Sequence, residues 1–147
     1  MSQTALARAV AVLGLVVAAD QVTKAIAVAS LERGEDVNVF LGLDLTYVRN
    51  EGIAFGALAG GGALLVVVIT VALGGLATYF VLRSGTPLLW LPVGLILGGA
   101  LGNLADRARD GAVIDFIDPI AWPAFNLADV AIVVGVLTLL YVAEARR

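Results

Sequence analysis

The chain has 147 residues, 61% of them hydrophobic and 14% charged, with a mean hydropathy of +1.00 and a formal net charge of −3. Soluble domains carry roughly 25% charged residues, so this composition points to a membrane protein with room for one domain and a few spans of ~20 residues each. The acidic balance and the lack of a basic cluster exclude nucleic acid as an expected partner. The absence of Cys and His excludes thiol nucleophiles, histidine triads and the usual zinc sites.

Hydropathy predicts a first helix from about Ala5 to Ala29. Arg8, the apolar stretch and Ala18-Ala19 give it a passing likeness to a signal peptide. Asp20 and Lys24 continue the helical pattern, however, so it is read as a span. The polar segment 30–60 follows. Within it Val37–Phe40 and Leu43–Val48 are rich in β-branched and aromatic residues and joined across Leu41-Gly42, which predicts a hairpin. An isolated hairpin is marginal in water, so packing against the membrane surface or another segment is expected.

A second helix is expected over 61–82, entered through Gly60-Gly61-Gly62, and a third over 87–105. The loop 106–126 follows, with Asp118 before Pro119 read as a turn residue. A fourth helix is expected over 127–143. The fold class is therefore an all-α membrane protein of four transmembrane helices with a small extracytoplasmic β-hairpin, forming one unit over 1–147.

An even helix number puts both termini on one side. Arg8, Arg83, Arg146 and Arg147 share that side; Lys24, Arg33, Arg49, Arg107 and Arg109 lie on the other. Setting Lys24 and Arg107 aside as site residues tips the positive-inside balance toward cytoplasmic termini.

The conspicuous polar residues then gather on the extracytoplasmic side. Asp20 and Lys24 stand four apart on one helix face, as do Asn103 and Arg107, with Asp106 beside them. Asn50 and Glu51 follow the hairpin, Asp115 interrupts Val113–Ile117, and Asn126 and Asp129 open the fourth helix. Ionisable groups near the bilayer core are costly unless paired or functional. Asp115 and Asp129 together suggest two carboxylates sharing one proton, the arrangement that activates water in aspartic proteases.

Each residue also has a plain structural reading. Asp20–Lys24 is equally an interfacial ion pair. Asn126 and Asp129 are equally a helix cap, with the Asn accepting orphan amides and the Asp favouring the positive helix end. A carboxylate-lined carrier would also use protonatable acids, though these lie at helix ends rather than midspan. With no His and no Cys, carboxylates must do the acid–base work if the protein is a hydrolase, and no metal or cofactor is called for.

Five blocks carry a family resemblance. They are Asp20-Gln-Val-Thr-Lys24, Val48-Arg-Asn-Glu-Gly-Ile-Ala-Phe55, Gly98-Gly-Ala-Leu-Gly-Asn-Leu-Ala-Asp-Arg107, Gly111-Ala-Val-Ile-Asp-Phe116 and Phe125-Asn-Leu-Ala-Asp129. In this order, and spread over nearly the whole chain, they resemble the lipoprotein signal peptidases (signal peptidase II). The resemblance implies a bacterial inner-membrane aspartic endopeptidase acting on lipid-modified prolipoproteins, and a monomer is the expected state of the chain. It would cut just before a diacylglyceryl-modified cysteine, with membrane lipid as its surroundings. On matching positions Asp115 and Asp129 would be the catalytic pair. Asp20, Lys24, Asn50, Gly52, Asn103, Asp106, Arg107, Asn126 and Ala128 would support the site. Independently of the resemblance, Lys24 and Arg107 are expected to neutralise Asp20 and Asp106 and so fix the helix ends.

Overall fold

The computed structural model of the chain describes residues 3–51 and 62–145. The elements run α1 (Gln3–Ser30), β1 (Asp36–Phe40), β2 (Leu43–Asn50), α2 (Gly62–Leu82), α3 (Trp90–Asp110), β3 (Val113–Pro119) and α4 (Leu127–Glu144). Gly52, Gly60 and Gly61, with the start of the second helix that was expected there, lie outside the described residues.

The helices are apolar nearly all round, and their burial is inverted relative to a soluble bundle. Along α1 the buried residues are Ala9, Asp20, Lys24 and Ala27, while Leu15 is 70% exposed. In α4 the small Ala128, Ala131 and Gly135 are buried together with Val142, and Leu137 is 62% exposed. A helix that is hydrophobic on every side belongs in a large core or a membrane. Here the polar groups face in and the aliphatic ones face out, so the outer surface is matched to lipid. Of the described helices, α1 and α4 are long and apolar enough to cross a bilayer, and Val66–Leu82 of α2 is a shorter apolar stretch.

The central helix is α3, which packs along α1 and α4 and touches α2 more lightly. Glycine makes that closeness possible. A Cβ at Gly98 would lie 2.8 Å from the Cβ of Val16 on α1, and one at Gly99 would meet the carbonyl oxygen of Ala128 and lie 2.8 Å from Ile132 on α4. In lipid, where burial of apolar surface does not drive helices together, such close approach supplies the packing. A small apolar cluster of Ala9, Phe80, Leu89 and Val93 ties α1, α2 and α3 at their other end.

The β-element has three strands in the order β1-β2-β3, with both pairings antiparallel. The hairpin turns at Gly42, whose φ of 80° suits a residue without a Cβ. Two expectations for the segment 106–126 are overturned. The helix α3 does not stop at Ala105 but runs through Asp110, and it ends where Gly111 adopts φ 74° and donates its N–H to the Arg107 carbonyl. Polar residues end a hydropathy window without ending a helix, because intrahelical hydrogen bonds are indifferent to side-chain polarity. Nor do Asp115 and Asp118 lie in a loop or turn: both belong to β3, with Asp115 opposite Val48 and Asp118 opposite Asp44.

If the α3 glycines set the helix spacing, enlarging one must push α4 away. Gly99→Val should lose roughly 1–3 kcal/mol, the usual cost of overpacking. Gly75→Ala, where an added Cβ meets nothing within 4 Å, should be neutral or gain up to about 1 kcal/mol. Thermal unfolding of both variants in detergent micelles checks the contrast.

Candidate active site

The site is built around one buried ammonium. Lys24 Nζ lies 2.8 Å from Asp20 Oδ2 and 2.7 Å from Asp106 Oδ2, and donates to Asn103 Oδ1 at 2.9 Å. Asp20 and Asp106 are 0% exposed and Lys24 is 1% exposed. An ammonium has three protons to donate, and these three oxygens account for all of them. Asp20 also accepts the backbone N–H of Ala128 through Oδ1 at 3.0 Å, so it pins the first turn of α4. Its other oxygen lies where a Cβ on Gly102 would come within 2.5 Å, so only glycine leaves room for it.

This corrects one assignment. The cation neutralising Asp106 is Lys24, assisted by Arg109 at 3.3 Å, and not Arg107. Arg107 donates instead to the carbonyl of Asn103 at 3.4 Å, one turn back along its own helix. Arg107 directly follows Asp106, and residues one apart on a helix do not face each other, whereas Lys24 on the facing helix reaches both acids.

Lys24 then fixes the polarity of the asparagines. With Asn103 Oδ1 turned to Lys24, its Nδ2 donates to Asp129 Oδ1 at 2.8 Å. Asn126 caps α4: its Oδ1 accepts from the Asp129 N–H at 3.0 Å, and Asp129 Oδ2 accepts from the Asn126 N–H at 3.2 Å. That reciprocal capping box fixes the Asn126 amide. Its Nδ2 donates to Asp115 Oδ1 at 2.7 Å, and also to Asn103 Oδ1 at 3.1 Å and the Ile114 carbonyl at 3.3 Å. Asn50 on β2 closes the far side, donating from Nδ2 to Asp115 Oδ2 at 3.1 Å.

Two carboxylates, Asp115 on β3 and Asp129 on α4, are therefore held by a shared set of amides: Asn126 touches both, while Asn103 and Asn50 each hold one. Asp115 is 3% exposed. Burial raises its pKa above the ordinary carboxylate range against the opposing pull of the Asn50 and Asn126 hydrogen bonds, and the nearby Asp129 charge raises it further. Beside Asp129 opens an apolar groove of about 310 Å³ lined by Trp122, Phe125, Val130, Val133 and Val134.

Asp20, Lys24, Asn50, Asn103, Asp106, Asp115, Asn126, Ala128 and Asp129 thus come together, Arg107 stands beside them through a backbone contact, and Gly52 lies outside the described residues. Sequence reasoning gave no role to Gln21 and Arg109, although both contact Asp106. The signals were available: Arg109 stands three residues after Asp106, a helix-neighbour spacing, and Gln21 adjoins Asp20.

A family model described as signal peptidase (SPase) II matches residues 12–144. A lipoprotein signal peptidase of Moorella thermoacetica is 48% identical over 127 residues, covering 85% of this chain and 85% of its own. One from Halothermothrix orenii is 40% identical over 135 residues, covering 90% and 93%. Among solved structures, a bacterial membrane enzyme determined by the in meso method at 1.9 Å resolution superposes with a TM-score of 0.81 at 33% identity, covering 92% of this chain and 91% of that one.

Two outcomes follow from this geometry. Lys24→Met would leave Asp20 and Asp106 buried without their counter-ion and should cost on the order of 3–5 kcal/mol, measured by unfolding in micelles. Because the fold raises the pKa of Asp115, this group favours folding fully below its unfolded pKa of about 3.9, and that contribution is lost as pH rises through the folded value. Asp115→Asn should remove this term, so the stability difference between variant and wild type should shift in favour of the variant as pH rises across that window.

Proposed function

The chain belongs to the signal peptidase II family, and on that premise we propose that it is a membrane aspartic endopeptidase. It removes signal peptides from lipid-modified prolipoproteins, cutting just before the diacylglyceryl-modified cysteine, with Asp115 and Asp129 as the catalytic pair. The observation that carries this reading is the joint hold of Asn126 on both carboxylates, through its side-chain amide on Asp115 and its backbone N–H on Asp129, beside an apolar groove. Four helices would span the bacterial inner membrane, with cytoplasmic termini and the site on the extracytoplasmic side. Membrane lipid would surround a monomer.

In this reading Asp129 is the base. It sits at the positive end of the α4 dipole with both oxygens accepting N–H donors, a setting suited to an anion. Asp115, whose burial favours its protonated form, donates its proton in a hydrogen bond to the scissile carbonyl oxygen. Asp129 removes a proton from water, the water oxygen bonds to the carbonyl carbon, and the Asp115 proton passes to the resulting oxygen to give a tetrahedral diol. Collapse breaks the C–N bond as the proton held by Asp129 moves to the leaving nitrogen. The products are a signal peptide ending in a carboxylic acid and a cysteine with a free amine, and a proton passing back from the new acid restores Asp115.

The structure's supports have distinct tasks in this scheme. Asn50, Asn103 and Asn126 hold the acids, and in a water-poor site such preorganised dipoles act strongly on developing charge. The groove of Trp122, Phe125, Val130, Val133 and Val134 would take an apolar part of the substrate.

Purified protein incubated with a lipidated proprotein should release the signal peptide. Asp115→Asn and Asp129→Asn should each abolish cleavage, by at least about 10³-fold on the scale of other catalytic-group deletions, while the variants remain folded. Activity should follow a bell-shaped pH profile whose limbs belong to the coupled pair. Because a protonated acid polarises the carbonyl, EDTA should leave the rate unchanged. Near-normal turnover by either variant, or a loss in EDTA restored by a divalent metal, overturns the aspartic mechanism.

A further inference from the structure

We propose that Arg109, together with Gln21, is a positioning residue for the aspartate pair, acting from the rim of the buried Asp20–Lys24–Asp106 cluster. The proposal rests on the proposed aspartic chemistry and concerns residues that do not touch the pair. Charge counting motivates it. Asp20 and Asp106 bring two negative charges into a buried space and Lys24 returns one positive charge, leaving the cluster at −1. Arg109 is the further cation whose head reaches it, with Nη2 at 3.3 Å from Asp106 Oδ1.

Gln21 makes that contact directional. Its Oε1 accepts from Arg109 Nη1 at 3.2 Å, while its Nε2 donates to Asp106 Oδ1 at 2.9 Å, Asp20 Oδ2 at 3.2 Å and the Gly102 carbonyl at 3.3 Å. Arg109 is held from outside by Asp110, at 2.9 Å from Nε, and Asp110 in turn offers its carbonyl to Arg49 on β2 at 2.6 Å. Counting Asp20, Asp106 and Asp110 against Lys24, Arg49 and Arg109, three charges of each sign balance. The route to the chemistry is a chain of contacts: Arg109 to Asp106, Asp106 to Lys24, Lys24 to Asn103, and Asn103 to Asp129.

The other charged and polar groups around this route have hydrogen-bond partners of their own. Arg107 of α3 is turned to its own helix backbone, Asp115 of β3 and Asp129 of α4 are the pair itself, and Asn50 supplies the β2 contact. A crevice of about 480 Å³, lined among others by Gln21, Lys24, Tyr47, Arg49 and Arg109, reaches the cluster from the side of α1. The Arg109 side chain is 57% exposed in it. Its influence is therefore moderate and open to screening by salt. Removing its charge leaves a net negative cluster beside the aspartates, which holds their protons more tightly.

The test is the pH profile of signal-peptide cleavage by the full chain in micelles. In Arg109→Gln both limbs should move to higher pH by a few tenths of a unit at low salt, the scale of a solvated charge acting through a short relay. Arg109→Lys, which keeps the charge, should return the limbs most of the way. Raising salt should draw the wild-type profile toward that of Arg109→Gln. Limbs of Arg109→Gln that overlay the wild type overturn the proposal, whatever happens to the maximal rate. So do limbs that Arg109→Lys fails to restore. Should Arg109→Gln not fold, wild-type limbs that ignore salt overturn it equally. A wild type that shows no bell-shaped profile overturns the aspartate pair itself, a result distinguishable from a bell that Arg109 does not move.

Discussion

The Lys24 ammonium is buried where α1, α3 and the start of α4 converge, and its three protons meet Asp20, Asp106 and Asn103. Taking an ammonium and two carboxylates out of water costs several kcal/mol per ion, which is recovered only when every donor and acceptor is matched. That requirement dictates much of the local design. Asp20 needs a further donor and takes the Ala128 amide, which docks α4. It needs space, and Gly102 leaves it. Asp106 takes the Ile114 amide at 3.4 Å, which links the cluster to β3. The helix packing and the attachment of the sheet both follow from the need to satisfy one small group of charges.

A second economy concerns Asp129. The carboxylate closes a capping box with Asn126 and at the same time stands in the candidate catalytic position. The structural and chemical readings of this residue are therefore not rivals. The cap holds the carboxylate on the Asn126 backbone N–H, within reach of the Asn103 side-chain amide, and orients it against the helix dipole. That is also the preorganisation a general base requires. Asn126 gains from the same arrangement, because the cap uses its oxygen and leaves its amide nitrogen free to face Asp115.

The parts of the molecule legible in the sequence were those governed by local rules. The helix-face spacing of Asp20 and Lys24, the capping chemistry of Asn126 and Asp129, and the hairpin across Leu41-Gly42 all depend on neighbours within a few residues. What escaped reading depends on partners far along the chain. The strand β3 is defined by pairing with β2, and Asn50 and Asp115 are 65 residues apart. Val113, Ile114, Phe116 and Ile117 are strand-forming residue types, but their partner is not local, so a third strand is defined only once β2 lies beside them. The continuation of α3 through Asp110 was hidden because Asp106 looks like a residue at a water interface, and its burial is intelligible only once Lys24 comes from the other helix. Arg107 was credited with the role of Lys24 and Arg109 for the same reason: adjacency in sequence is a poor guide to which cation reaches an acid on a helix.

The inverted burial of the helices has a thermodynamic consequence. In a soluble protein, unfolding wets apolar surface, and the resulting positive heat-capacity change bends the stability curve into a dome with a cold-denaturation limb. Here the large aliphatic side chains such as Leu15, Val71 and Leu137 are exposed in the fold already and would stay in hydrocarbon when the helices separate. The groups whose surroundings change most are the charges and amides of the interior, and hydration of polar groups lowers the heat capacity rather than raising it. Helix separation in this molecule should therefore carry a small heat-capacity change and an almost straight dependence of stability on temperature. Its resistance to cooling would then be greater than that of a soluble enzyme of the same size.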